Sequence, residues 1–181
     1  MKRISSALWA FFLLAVFAAC KKDDVTPEVP YSGGVATPVG TPDGSPIAQK
    51  TIGPEGGTLS SSDGRLTLTI PAGALPTAKP VSIQAISNHN PLAVEQAYRL
   101  EPHAVEFAKP VSLSFTYSDE NVSNSLPEAL GIAYQDNKGI WQALGNAVLN
   151  NAEKTVSVST THLSDWSLFE SFYMITSATV V

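Results

Sequence analysis

Downstream of residue 50 the apolar residues of this chain fall at every second position, in runs of two to four. That spacing restricts the fold more than anything else in the sequence. Leu66, Leu68 and Ile70 alternate with Arg65, Thr67 and Thr69. Val81, Ile83 and Ala85 repeat the pattern, as do Val111, Leu113, Phe115 and Tyr117, and then Val156 and Val158 ahead of Trp166, Leu168 and Phe169. A period of two sends alternate side chains to opposite faces, so each run reads as a half-buried strand. Ser62-Asp63-Gly64 supplies a turn before Leu66,. Asp136-Asn137-Lys138-Gly139 joins Leu130, Ile132 and Tyr134 to Ile140-Trp141-Gln142, which predicts a hairpin,. No stretch of about 12 residues sustains a period of 3.6. Ser118 to Leu130, with Pro127 and Glu128, leaves room for one short helix. The expectation is an all-β, antiparallel β-sandwich of about eight to ten short strands.

Two blocks carry folding signals of their own. In Gly53-Pro54-Glu55-Gly56-Gly57-Thr58-Leu59 the paired glycines suit a bulge or a close backbone approach,. In Leu66-Thr67-Leu68-Thr69-Ile70-Pro71-Ala72-Gly73-Ala74-Leu75, Pro71 ends ladder donation after Ile70 and Gly73 permits a turn with positive φ,. These blocks, with Tyr98-Arg99-Leu100-Glu101-Pro102 and Phe107-Ala108-Lys109-Pro110-Val111-Ser112-Leu113, resemble a ZU-five-type domain. That β-sandwich module is shared by ankyrins, netrin receptors and the zonula occludens protein, and it occurs in bacterial envelope proteins. Bacterial versions commonly continue with a tryptophan strand, matched by Ile140-Trp141, and a segment like Thr161-His162-Leu163-Ser164-Asp165-Trp166. The resemblance runs over residues 50–170.

The N-terminus has a different character. Lys2 and Arg3 precede an apolar run from Leu8 to Phe17, and Ala18 and Ala19 lead into Cys20, the one cysteine. This order resembles a signal peptide ending in the lipobox of bacterial lipoproteins, with Phe17 where leucine is preferred. The resemblance implies that residues 1–19 are removed and that Cys20 is acylated, for example with palmitate, and becomes the first residue. A retained membrane helix needs roughly 20 apolar residues, and the stretch Ile4 to Cys20 is barely that long and includes Ser5 and Ser6,. Lys21-Lys22-Asp23-Asp24 resembles the export signal of surface-exposed lipoproteins of Bacteroidota. The implied location is the bacterial cell envelope: the outer membrane, lipid-anchored, on the cell surface.

From Val25 to Gln49 prolines recur at 27, 30, 38, 42 and 46 among glycines, with no strand or helix period. This reads as a disordered linker, so residues 20–49 form an acylated, Pro/Gly-rich tether spanning about 25–30 Å as a coil. Residues 50–170 form the sandwich. Residues 171–181, ending Ala178-Thr179-Val180-Val181, are either its last strand or the start of a truncated further domain.

Composition narrows the function. Setting aside Lys2 and Arg3 from 11 basic residues leaves nine against 16 acids, a mature net charge of −7. No basic stripe remains, so no nucleic-acid partner is expected. His89, His103 and His162 lack metal-ligand spacing, and no phosphate-cradling loop occurs, so neither metal nor cofactor is expected,. His89-Asn90-Pro91 and Pro102-His103 read as loops. Adjacent acids such as Asp119-Glu120 point to opposite faces of a strand and cannot pair for glycoside chemistry,.

His162-Leu163-Ser164 is the one catalytic candidate. Similar triplets in some ZU-five-type domains cut their own backbone. Here Ser164 Oγ would attack the Leu163 carbonyl with His162 as general base. His162 also shares the parity of Val156 and Val158, which suits a packing residue. The leading expectation is therefore a membrane-anchored, non-catalytic sandwich for protein or glycan interaction. The alternatives are a structural spacer of a larger surface protein and an autoproteolytic domain cutting between Leu163 and Ser164. A binding module should present exposed aromatics, with Tyr31, Tyr98 and Trp141 as candidates,.

Overall fold

A computed structural model of the chain describes residues 34–103, 105–123 and 125–171. Cys20, the Lys21–Asp24 leader, Tyr31 and residues 172–181 lie outside the described residues. The strands are β1 (Ala48–Ile52), β2 (Gly57–Ser60), β3 (Leu66–Ile70), β4 (Lys79–Ile86), β5 (Ala97–Glu101), β6 (Glu106–Thr116), β7 (Leu130–Gln135), β8 (Trp141–Ala143), β9 (Val148–Asn150), β10 (Thr155–His162) and β11 (Asp165–Glu170). The only helical element among the described residues is a single 3-10 turn at Pro127–Ala129, inside the stretch expected to hold a short helix.

The strands form two antiparallel sheets, ordered β1-β4-β5-β11-β7-β8 and β2-β3-β6-β10-β9. The sandwich is therefore as expected, with eleven strands rather than eight to ten. Those not marked by the alternation include β9, of three residues, and β1, which begins inside the stretch read as linker. The hairpin at Asp136–Gly139 forms, with Gln135 opposite Trp141 and Tyr134 opposite Gln142.

The period-two residues face inward between the sheets. Leu66, Leu68, Ile83, Leu113 and Trp166 are fully buried, while Thr67, Thr69, Ser112, Ser114 and Ser157 cover the outside of the second sheet. Tyr98 is core, 2% exposed and edge-on to Phe115, so it is no surface aromatic. Its parity with Leu100 turns both inward. Its hydroxyl donates to Asp63 at 2.7 Å, fastening the Ser62–Gly64 turn of the second sheet to the first. That hydroxyl is held well above its ordinary pKa by burial and by the bond to Asp63.

The two glycine-bearing blocks dock on each other. Gly56 has φ +75°, and a Cβ there would lie 2.4 Å from the Ile70 carbonyl oxygen. Only a residue without Cβ fits both demands. Gly73 N–H donates to Pro54 O at 2.8 Å, and Ala108 N–H donates to Ala74 O at 3.0 Å. The β6–β10 register jumps here, from Thr160 opposite Val111 to His162 opposite Glu106. Pro110 has no N–H for the ladder, so the strands part, and the chain at His162 is freed to cross to the first sheet.

The expected linker needs correction. Residues 37–43 are bound across the first sheet as a strap. Thr37 N–H donates to Gly139 O at 2.8 Å, Ser87 N–H to Thr41 O at 2.8 Å, and Pro42 bridges to Ile86. The strap runs across the strands rather than along them, so it shows no apolar alternation.

Candidate functional site

The antiparallel register places four polar side chains in one row on the outer face of the first sheet. Arg99 lies opposite Asp165, Asp165 opposite Gln135, and Gln135 opposite Trp141, on β5, β11, β7 and β8. Arg99 points outward because its neighbours Tyr98 and Leu100 are buried. Its guanidinium grips Asp165 with two bonds, Nε to Oδ1 at 2.9 Å and Nη2 to Oδ2 at 2.7 Å. The Asp165 side chain is 4% exposed and that of Arg99 20%.

Beside this pair opens a cleft of about 730 Å³, at the end of the sandwich where β10 hands over to β11. Glu101, His103, Asn137, His162 and Ser164 line it, and Val39 of the strap forms part of one wall. The Glu101–Pro102 peptide is cis. His103 N–H donates to Glu101 Oε2 at 2.9 Å, and its Nε2 lies 3.4 Å from Asp165 Oδ1 and 3.7 Å from Glu101 Oε1. The bond to Asp165 raises the imidazole's pKa, against the opposing effect of burial and with help from Glu101. Burial alone would raise the Asp165 carboxyl, but hydrogen bonds from His103 and Arg99 hold it below the ordinary carboxylate value.

His162 has the opposite electrostatics. Its ring packs 4.6 Å from Tyr134 and 5.5 Å from Trp166, centroid to centroid. Burial lowers its pKa, and the charge on His103 lowers it further. Nδ1 is 3.1 Å from Thr160 Oγ1, and Nε2 is buried without a hydrogen-bond partner among the described residues. A neutral ring with its proton on Nδ1 suits that setting, because no N–H is then left unpaired.

The structure brings His162 and Ser164 of the self-cleavage triplet to the cleft but does not couple them. Ser164 Oγ donates its proton to Gln135 O at 2.6 Å, and no hydrogen bond joins it to His162 among the described residues. Ser164 O is also engaged, accepting from Leu100 N–H at 3.0 Å, and Leu163 is 2% exposed. A general base must reach the proton it removes. This one faces Thr160.

Sequence reading placed His103 in an anonymous loop and missed Arg99 and Asp165. Their partnership follows from register, which strand periodicity alone does not fix. Trp141 is half-buried, with its indole N–H donating to Thr37 Oγ1 at 2.9 Å. Among the described residues no three His, Cys, Asp or Glu side chains converge to hold a metal ion, and no helix is long and apolar enough to cross a membrane. No protein-family model matches the chain, and no curated protein matches it either.

Proposed function

We propose that this chain is a lipoprotein of the bacterial outer membrane, anchored through Cys20 and displaying a ZU-five-type β-sandwich that binds a protein or glycan without catalysis. The cleft is the observation that supports a binder over a spacer. A spacer needs only a stable core, whereas this domain sinks a charged pair beside an open cavity at a desolvation cost,. The pair keeps Arg99 satisfied, so the groups left to meet a ligand are the half-exposed Glu101 and His103 side chains at the rim. Convergent polar groups around a concave surface are the usual makings of a recognition site. Ser164 and His162, each bonded elsewhere, contribute walls rather than chemistry.

Two measurements test this. Bacteria expressing the full chain are fed an alkyne-palmitate; label on the wild type and none on Cys20→Ser supports the anchor, and equal labelling overturns it. The mature chain is then screened against glycan arrays and envelope proteins. A ligand lost on Glu101→Gln or His103→Gln places binding in the cleft. A chain that captures nothing, or ligands indifferent to both changes, favours the spacer.

A further inference from the structure

We infer that the outer face of the first sheet is a peptide-binding groove for an extended Thr-Pro-x-Gly segment. It is filled in cis by Thr37-Pro38-Val39-Gly40 and can take the same segment from a second copy of the chain. The groove adjoins the cleft and shares Arg99, Gln135 and Gly139 with its lining, but its occupant is the chain's own segment, and it does not depend on acylation of Cys20.

Each position of the segment is read by a separate device. Thr37 meets the most groups: its N–H donates to Gly139 O at 2.8 Å, and its Oγ1 accepts from the Trp141 indole at 2.9 Å and from Gln135 Nε2 at 2.9 Å. Gln135 Nε2 also lies 3.0 Å from Thr37 O and 3.2 Å from Pro38 O. Proline suits the second place because its fixed φ pre-extends the chain and it brings no N–H needing a partner. The third place is open, since Val39 is 61% exposed. At the fourth, Arg99 Nη2 donates to Gly40 O at 3.0 Å, and the backbone comes so close that a Cβ on Gly40 would sit 2.3 Å from Ser87 O. Any larger residue would have to lift the strap from the sheet.

The span agrees with an extended ligand. From β7 to β4 there are three inter-strand gaps, about 14 Å at the usual spacing. The five residue steps from Thr37 to Pro42 reach roughly 16 Å when extended. From Thr37 to Gly40 the segment is held mainly by side chains of the sheet, and pairing of the β type is confined to the bridge between Pro42 and Ile86, so the groove reads a peptide crossing the strands.

The sequence supplies the ligand twice. Thr41-Pro42-Asp43-Gly44 follows directly and has the same Thr-Pro-x-Gly order. Beyond it Gly44 has φ +91°, and Ser45 and Ile47 are partly or largely solvent-exposed, which gives a free-standing connection before β1. Exchange of such a segment between identical chains needs no contact that the single chain does not already make.

The test uses the mature chain with Ser in place of Cys20 and the synthetic peptide of residues 34–41, which carries one Thr-Pro-x-Gly segment, followed by the Trp141 indole N–H in NMR spectra. In the wild type the cis segment competes at an effective concentration of order millimolar, so micromolar peptide should leave the resonance unmoved. A chain with residues 37–40 replaced by Gly-Ser-Gly-Ser should show a shifted indole signal, and the peptide should return it to the wild-type position saturably. Peptides carrying Thr37→Val or Gly40→Ala should bind at least tenfold more weakly. If the four-residue replacement unfolds the domain, Thr37→Ala serves as receptor, because it removes only the hydroxyl and the γ-methyl and leaves the backbone in place. An indole signal that the replacement leaves unchanged, no saturable response up to a few millimolar peptide, or equal binding of all three peptides would each overturn the assignment.

Discussion

Replacing Arg99 with Met isolates the energetic role of the buried pair. Asp165 would remain buried, with the half-exposed His103, when protonated, as its one charged partner among the described residues. Breaking a buried ion pair from one side costs about 3–5 kcal/mol. Arg99 keeps some solvent and His103 compensates in part, so the loss expected at pH 7 is about 2–3 kcal/mol. For a domain of this size that lowers Tm by roughly 6–12 °C. Urea unfolding, with an unchanged m-value, measures the loss directly. The pH dependence adds a second signature. In the wild type the Asp165 carboxyl is depressed, so its stabilisation holds above the unfolded carboxylate pKa and fades as pH falls through the folded value,. Without Arg99, only His103 still opposes the effect of burial, so the carboxyl rises relative to wild type. The variant's Asp165 then takes up its proton at higher pH than the wild type's, so the gap between them should close as pH falls from 7 toward 4. The double variant Arg99→Met with Asp165→Leu removes the stranded charge and should recover to within about 1 kcal/mol of wild type. A single-variant loss below about 0.5 kcal/mol, a gap indifferent to pH, or a double variant as weak as the single would refute the reasoning.

The two histidines of the cleft should titrate in opposite senses. His103, raised by Asp165, contributes stability fully present below the unfolded value near 6.5 and lost as pH climbs through its folded pKa; His162, lowered by burial, contributes above 6.5 and loses it on acidification,. NMR titration of the ring protons should find His103 titrating at the higher pH, and a reversed order would contradict the contacts. Gly56→Ala should destabilise by about 2 kcal/mol or more, read as a drop in urea midpoint, because φ +75° and the Ile70 carbonyl both oppose a Cβ,. Ser164→Ala should cost about 1 kcal/mol for the lost bond to Gln135 O,. Wild type and variant should both give the intact mass by mass spectrometry; release of residues 164–181 from the wild type alone would restore the self-cleavage reading.

Where a structural feature repeats along one strand, the sequence displays it. Leu66, Leu68 and Ile70 alternate and all are buried, and the Asp136–Gly139 turn lies between the strands it joins. Glycine and proline marked the docking of the two early blocks because their backbone chemistry is local. The site was harder. Arg99 and Asp165 are 66 residues apart and meet because β5 and β11 align at that one register. Tyr98 was misplaced at the surface although its alternation with Arg99 and Leu100 already set it inward. The strap had no visible pattern at all, since its partners are scattered side chains on β5, β7 and β8 and isolated backbone groups at Gly139, Ile86 and Ser87.

The strap also changes how this domain bears mechanical load. Force drawn through the chain at residue 34 does not reach β1 first. It meets the bonds of Thr37 at the β8 edge, then Gly40 at Arg99, then Thr41 at Ser87, one after another. These would rupture in sequence, as a zipper opens, at lower force than strands sheared together. Residues 37–47 have a contour of about 35 Å, and detaching them would release the part not already spanned by the strap before the sheet itself is loaded. The segment thus acts as a fuse, yielding slack while the core stays folded.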